Sequence, residues 1–237
     1  MKLDLENAIF HNASMEGAKK EVDKKVFSNE ERLELFKKIE ARAESLYGNL
    51  PYHNFRHACE ALELGYEIIA RCQASNIDVN SDVIRYAILF HDAGYHENHK
   101  EKGFESKEEY SAYLAKEVLR EFGVGEDDIT KVEKSILSTH RDKNFECLEE
   151  KIARAADLAG LAIDYETFKE NAIKLKDEHE LLTGSRISWE DWKIGVKNII
   201  EFYLSQDIRL TECYQDEDGG SRFHKKTKEN LDRLLSE

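Results

Sequence analysis

Proline is almost absent from this chain. Pro51 is the only proline among 237 residues, whereas ordinary usage is about 5%. The chain also has only 12 glycines. Because proline and glycine provide most of the tight turns between strands, a fold of many short strands is disfavoured. The sequence therefore predicts a helical protein.

Apolar residues recur at helical spacing along most of the chain. Ser28 and Glu31 fit a capping box at the start of the first such segment. The stretch Val83–Phe90 is apolar on nearly every side, which predicts a buried helix. No segment alternates strictly between apolar and polar residues, and no linker rich in serine, glycine or proline divides the chain. We expect one all-α domain over residues 1–237, a helical bundle with helices near residues 28–48, 54–73, 83–90, 106–122, 126–139, 151–163, 188–203 and 227–235.

Acidic residues outnumber basic ones. The 49 Asp and Glu against 35 Lys and Arg give a formal net charge of −14. A nucleic-acid backbone binds to a basic face that neutralises its phosphates, so a nucleic-acid polymer is not expected as the main partner. A small phosphorylated substrate, held by a local group of cations, is compatible with this charge. The oligomeric state does not follow from these features.

The chain shows no sign of export or of a membrane segment. Its longest apolar runs are far shorter than the ~20 residues that a membrane-spanning helix needs. The first residues, Met1 to Glu6, carry acids where a secretory signal carries an apolar region. None of the four cysteines forms a C-x-x-C pair, so we expect free thiols. Together these features predict a cytoplasmic protein.

A histidine and an aspartate stand side by side where an apolar helix is expected to end, in the segment Leu89–Gly94. The C-terminal end of a helix is the negative end of its dipole, and a buried, unpaired carboxylate is strongly unfavourable. A bound cation would offset both effects on Asp92. The alternative is structural: Asp92 caps a turn and His91 is hydrogen-bonded in the core.

Two further segments carry residues that bind metals in other proteins. His53 and His57 are four residues apart, which places both rings on one face of a helix. Asp157 lies in a run of small apolar residues. Each of these could instead be an ordinary surface or core residue. Combined with His91 and Asp92, however, they supply nitrogen and oxygen ligands that suit Mn, Fe, Co, Ni, Zn or Mg.

The order of these residues resembles the metal-binding signature of the HD superfamily of metal-dependent phosphohydrolases. The surrounding strings are similar, in order and spacing, to the bacterial group of predicted HD phosphohydrolases over residues 29–236: YHNFRHA, AILFHDAGY, EEYSA, ADLAGL and GSRISW followed by FYL. The YHNxxH string also resembles the helical cyclic-nucleotide phosphodiesterases. The resemblance implies a helical bundle of the HD-domain type, with the metal-site core at about residues 50–165 and C-terminal helices at about 165–236.

The resemblance also implies a role for individual residues. The metal ligands would be His57, His91, Asp92 and Asp157. His53 would be the general acid or a group that orients the substrate, and Asp92 would serve both catalysis and metal binding. Pro51 and Asn54 bracket the expected start of a helix, which predicts that His53 lies in its first turn. The candidates for a second metal or for the substrate are His140, Glu108 and His96. The sequence departs from many relatives at Ala155, where they carry an acid, and in a long insert at residues 96–103.

Basic residues flank the motifs, and two of them, Lys100 and Arg141, are candidates for contacting a substrate phosphate. The expected activity is divalent-metal-dependent hydrolysis of a phosphomonoester or phosphodiester, of a nucleotide or another small phosphorylated metabolite. Two alternatives stay open. One is an HD-fold diiron oxygenase, which needs a fuller set of histidines. The other is a sensor that binds a nucleotide or metal without turnover.

Overall fold

The computed structural model describes residues 28–206 and 221–237, and within these ranges it contains nine α-helices, one 3-10 helix and no strand. The α-helices are α1 (Asn29–Glu44), α2 (Phe55–Ala74), α3 (Ser81–Phe90), α4 (Lys107–Glu121), α5 (Glu126–Leu137), α6 (Leu148–Leu158), α7 (Tyr165–Thr183), α8 (Trp189–Ser205) and α9 (Arg222–Ser236). The 3-10 helix, Ala159–Ala162, directly follows α6. The all-α prediction is confirmed.

The capping box and the buried helix that the sequence predicts are both present in the structure. At the start of α1, Glu31 N–H donates to Ser28 Oγ at 3.2 Å, and Ser28 N–H donates to Glu31 Oε2 at 2.8 Å. Helix α3 is buried from Val83 to Phe90. Helix α9 begins at Arg222 rather than at Thr227, so it is longer than its apolar pattern indicates.

Helix α7 is the element that the apolar pattern does not single out. Only four of its 19 residues are buried: Tyr165, Phe168, Ala172 and Glu178. Its ends are nevertheless well defined. Asp164 caps its first turn by accepting from Thr167 N–H at 3.1 Å, and Gly184 ends it in the left-handed conformation with φ 67°. This helix matters because it carries Glu178 to the site.

The main core is built around α3. Val83, Ile84, Ala87, Leu89 and Phe90 are fully buried there, and α3 contacts α2, α4, α5 and α6. Helix α2 lies especially close at Gly65, where an added Cβ would be 2.4 Å from Ile88 Cδ1. This close approach brings the histidines at the start of α2 toward the end of α3.

A second apolar cluster joins the C-terminal helices. Its buried residues come from α7, α8 and α9: Tyr165, Phe168, Ile200, Leu231 and Leu234. Asn230 on α9 also donates to the backbone oxygens of Leu161 and Ile163, at 3.0 and 2.9 Å, and so ties this cluster to the 3-10 helix that follows α6. The prediction of a single domain over residues 1–237 stays a prediction.

No helix in the described part of the chain is both long and apolar enough to cross a membrane. Cys59, Cys72 and Cys147 are free thiols, as expected, while Cys213 lies outside the described residues.

Candidate metal centre

Four side chains from three helices converge on one point: His57 from α2, His91 and Asp92 from the end of α3, and Asp157 from α6. One donor atom from each lies within 4.8 Å of the donor atoms of the other three. His57 and His91 are buried, whereas the two aspartate residues are partly exposed. The arrangement could hold a metal ion.

The start of α2 is capped so that His57 faces inward. Asn54 is the N-cap, and its Oδ1 accepts from the backbone N–H groups of Arg56 at 3.0 Å and His57 at 3.3 Å. Asn54 Nδ2 also donates to Leu50 O at 2.8 Å, which fixes the segment before the helix. These contacts anchor the first turn, from which the His57 ring projects into the cluster.

The turn after α3 is held tightly on both sides. Gly94 N–H donates to Leu46 O at 2.9 Å, and Ser111 Oγ on α4 donates to Ala93 O at 2.8 Å. Gly94 has φ +74°, and a Cβ there would lie 2.6 Å from Tyr110 Cε1. Glycine is therefore needed both for the left-handed backbone and for the contact with α4. The turn aims Asp92 at the cluster.

The donor atoms of the cluster lie close to one another. His91 Nδ1 lies 2.7 Å from Ile88 O and donates its proton to it. When the ring is neutral, Nε2 therefore carries a lone pair. That Nε2 lies 3.0 Å from Asp92 Oδ2, 3.3 Å from Asp157 Oδ1 and 3.3 Å from His57 Nε2. Asp92 Oδ2 is buried and makes no hydrogen bond with the described residues. Lone pairs that converge in this way fit a cation between them.

The carboxylates of the cluster stay ionised at neutral pH. Burial raises the pKa of Asp92, but His91, His53 and His57 outweigh burial and bring it to about 2. The pKa of Asp157 is also lowered, because His91 and His57 outweigh burial. For His91, burial lowers the pKa, yet Asp92 and Asp157 raise it well above its ordinary value. The two ionised carboxylates supply negative charge that favours a cation, and a bound metal ion would take the place of the Nε2 proton of His91.

His53 lies one residue before the N-cap of α2, not in its first turn as the sequence analysis predicts. A buried glutamate holds it there instead of the helix backbone. His53 Nδ1 is hydrogen-bonded to Glu178 Oε1, and Glu178 Oε2 accepts from the N–H groups of Tyr52 at 2.9 Å and His53 at 2.8 Å. Burial raises the pKa of Glu178, but the bond from His53 outweighs burial and the pKa is lowered. An ionised carboxylate can only accept, so Nδ1 carries the proton and Nε2 is left for other partners.

Aromatic rings surround both histidines. The Tyr52 ring lies 4.6 Å from the His57 ring, and the Tyr95 ring stacks on His53 at 3.9 Å with an interplanar angle of 14°. Burial, followed by the nearby carboxylates, raises the pKa of Tyr52 and of Tyr95, so both rings are neutral. Both rings lie beside the candidate metal-binding cluster.

His140 does not join the four-residue group. It lies in the turn after α5, where its Nδ1 accepts from Asp142 N–H at 3.3 Å. Arg154 on α6 is fully buried and holds this turn. Its guanidinium donates to the backbone oxygens of Ser138 at 2.7 Å, Lys143 at 3.3 Å, Arg141 at 3.4 Å and His140. Roles for His140 with a second metal or the substrate stay predictions.

The other candidates lie around the cluster rather than in it. Glu108 is in the first turn of α4 and half-buried, and its charge contributes to the raised pKa of Tyr95. His96 is exposed and packs against Gly48, where a Cβ would lie 2.5 Å from His96 Cγ. Lys100 and Arg141 are both exposed. Contacts of these four residues with a substrate stay predictions.

Three residues near His53 are not identified by the sequence analysis: Glu178, Tyr95 and Lys107. Glu178 lies in an acidic, helical stretch (KDEHE) in which no pattern separates it from its solvent-exposed neighbours. Tyr95 lies three residues after Asp92, and this proximity in the sequence could have identified it as a residue near the site. Lys107 resembles any surface lysine, and only the fold shows that it is half-buried.

Comparison with known proteins agrees with this geometry. Residues 54–159 match the family model described as HD domain. No curated protein sequence matches the chain. The chain is similar in fold to the phosphodiesterase domain of rhodopsin phosphodiesterase from Salpingoeca rosetta, with a TM-score of 0.64, 16% identity, and coverage of 85% of this chain and 80% of that chain.

A second solved structure, LmjPDEB1 in complex with IBMX, matches with a TM-score of 0.58 and 14% identity, covering 86% of this chain and 83% of that chain. At these identities the two likenesses establish the fold. All four side chains of the cluster fall inside the matched range. Residues 54–159 are therefore identified as an HD domain.

Proposed function

We propose that the protein is a divalent-metal-dependent phosphohydrolase that cleaves a phosphomonoester or phosphodiester of a nucleotide or another small phosphorylated metabolite in the cytoplasm. One observation carries the proposal: four donor atoms lie within 4.8 Å of one another, and the buried Asp92 Oδ2 among them has no hydrogen-bond partner in the described chain. The HD-domain match and the phosphodiesterase named among the structural neighbours support this class of reaction.

The metal ligands would be His57, His91, Asp92 and Asp157. Two imidazole nitrogens and two carboxylate oxygens suit Mn, Fe, Co, Ni, Zn or Mg. A divalent ion bound there would polarise a phosphoryl oxygen and lower the pKa of a coordinated water. His91 is well prepared as a ligand, because the bond from its Nδ1 to Ile88 O orients the ring and directs Nε2 at the cluster.

His53 would donate a proton to the leaving oxygen. Its Nδ1 proton is held by Glu178, so the proton that can be transferred is the one on Nε2. The Tyr95 and Tyr52 rings flank His53 and limit the access of water to it.

The substrate is expected to be small rather than a nucleic-acid polymer, because the formal net charge is −14. His140, Glu108 and His96 are proposed as contacts for a second metal or the substrate. Lys100 and Arg141 are proposed as phosphate contacts, which requires their exposed side chains to fold over the bound substrate.

The test is a screen of metal-reconstituted protein. The purified chain is loaded separately with each metal and assayed for release of phosphate from nucleotides and simple phosphomonoesters, and for formation of nucleoside monophosphate from cyclic nucleotides. We expect metal-dependent turnover of at least one class, absent from Asp92→Ala and Asp157→Ala. Bound metal without turnover of any ester would instead indicate a sensor. Oxygen consumption by the iron-loaded protein would indicate the oxygenase.

A further inference from the structure

The Tyr95 ring lies between a histidine and a lysine. His53 stacks on it at 3.9 Å, nearly parallel, and Lys107 Nζ lies 3.1 Å from the ring centroid. The stacked imidazole leaves no room for an ammonium on its own side of the ring. Lys107 must therefore lie on the opposite face, which gives a layered arrangement in the order Lys107, Tyr95, His53.

Lys107 occupies a place that is unfavourable for a lysine in other respects. It is the first residue of α4, where the positive end of the helix dipole repels a cation. It is half-buried, and burial lowers its pKa. Within the described ranges, no carboxylate oxygen lies within 4.0 Å of its Nζ. Tyr95 offsets part of this cost: its ring face attracts the ammonium, and its backbone oxygen accepts from Nζ at 3.3 Å. The charges of Glu178, Asp92 and Glu108 also favour the ammonium, from a longer distance.

His53 needs support of this kind because it precedes α2 and has no helical backbone to hold it. Glu178 fixes the ring at one point, Nδ1, in the ring plane. A single bond of this kind still allows the ring to rotate about its axis. Tyr95 restricts this rotation by covering one face of the His53 ring. The Tyr52 ring packs edge-on against His53, with 4.9 Å between the ring centroids and an interplanar angle of 84°.

We propose that Tyr95 and Lys107 are positioning residues that hold the plane of the His53 ring so that Nε2 points at the leaving oxygen of the substrate, with Lys107 acting through Tyr95. The inference rests on the proposed function, since it assigns these residues to the proton-donating step. It adds a lysine and a tyrosine whose side chains are not among the donors of the four-residue cluster, although Tyr95 N–H donates to Asp92 O at 3.1 Å.

The kinetic test uses two phosphoesters, phenyl phosphate and 4-nitrophenyl phosphate, which have a poor and a good leaving group. In Tyr95→Leu we expect kcat for the phenyl ester to fall by about 10- to 100-fold, the scale of a misplaced catalytic group, with a much smaller loss for the nitrophenyl ester. KM and bound metal should not change. Tyr95→Phe keeps the ring and should retain wild-type kcat. Tyr113→Leu, at a tyrosine that is 43% exposed on α4, is the control.

Lys107 is tested in the same assay. Lys107→Met should lower kcat for the phenyl ester by about threefold to tenfold, the scale of one cation–π contact, and Lys107→Arg should restore it. Lys116→Met is the control on the same helix, since Lys116 pairs with Glu133 at 2.9 Å instead of contacting the site. Equal losses on both esters in Tyr95→Leu, or wild-type kcat in Lys107→Met, would overturn the inference.

A structural measurement separates this inference from the proposed function. Crystal structures of Tyr95→Leu and Tyr95→Phe, both with metal, should show the His53 ring displaced in the first and unchanged in the second. A His53 ring that stays in place in Tyr95→Leu would refute positioning, whatever the enzyme does. The proposed function is tested separately by His53→Asn: a normal kcat in that variant would refute the role of His53 as proton donor. A displaced His53 ring in Tyr95→Leu would still support the positioning contact in that case.

Discussion

Glu178 and His53 are 125 residues apart in the sequence and are hydrogen-bonded to each other at the candidate site. The carboxylate is 2% exposed and uses both oxygens, one for the His53 ring and the other for two backbone N–H groups. A buried charge of this kind is stable only because every one of these donors points at it. The pair therefore joins α7, at the C-terminal end of the fold, to the metal-binding core.

Replacement of Glu178 by glutamine should disturb catalysis without loss of metal. The glutamine amide cannot accept from both backbone N–H groups and the ring, and the negative charge beside His53 is gone. We expect kcat with a poor leaving group to fall by about 10- to 100-fold, within the range of general acid catalysis. Asp177→Asn, at the exposed neighbouring position, is the matched control. A similar loss in the control, or lost metal in Glu178→Gln, would contradict this prediction.

Substitution of His53, just before α2, and of His57, within α2, should have different effects on metal content and on kcat. His53→Asn is expected to keep the metal and to lower kcat by ~10²–10⁴-fold with a poor leaving group. His57→Asn should lose the metal itself, because His57 Nε2 faces His91 Nε2 at 3.3 Å inside the cluster. Metal analysis beside kcat measures both. If His53→Asn releases the metal or slows both kinds of ester equally, His53 is a ligand or a positioning group and not the acid.

Removal of the metal should lower the stability of the fold. A ligand at ~100 times its dissociation constant stabilises the folded state by about 2.7 kcal/mol, which for a chain of this size corresponds to a Tm change of roughly 5–10 °C. Thermal unfolding with and without a chelator should show that drop in the wild type. Asp157→Asn should show none, since it lacks a carboxylate of the cluster. An identical drop in both proteins would mean that the chelator acts elsewhere.

Gly94 and Gly123 form a natural pair for testing the turn after α3. Both have φ +74°, but a Cβ at Gly94 would lie 2.6 Å from the Tyr110 ring, whereas nothing lies within 4 Å of one at Gly123. Gly123→Ala should therefore lower the free energy of unfolding by only ~1 kcal/mol, from backbone strain. Gly94→Ala should lower it by about 1–3 kcal/mol more, because the clash is with a packed ring, and should weaken metal binding. Denaturant unfolding checks both; equal losses would show that the contact with Tyr110 relaxes freely.

Local features of the sequence account for the helices, and the order of four residues along the chain predicted the candidate metal-binding cluster. The single proline, the capping box at Ser28 and the apolar run before His91 act over a few residues, and each has its expected effect in the structure. Taken singly, each residue of the cluster could have been an ordinary surface or core residue. The four could be anticipated together because their order along the chain resembles the metal-binding signature of the HD superfamily.

The surroundings of His53 were decided by the tertiary structure. Glu178 is one acid among 49 Asp and Glu, and only the packing of α7 against the rest of the fold brings it to the ring. Likewise, Lys107 contacts Tyr95 because α4 packs against the turn after α3. Lys100, another lysine that follows this turn, is exposed. Polar side chains on a helix surface have no periodicity of their own, so their partners depend on how the helices are arranged. The sequence by itself determined the helical class and the four residues of the cluster; the tertiary structure alone selected the acid, the tyrosine and the lysine that hold the proton donor.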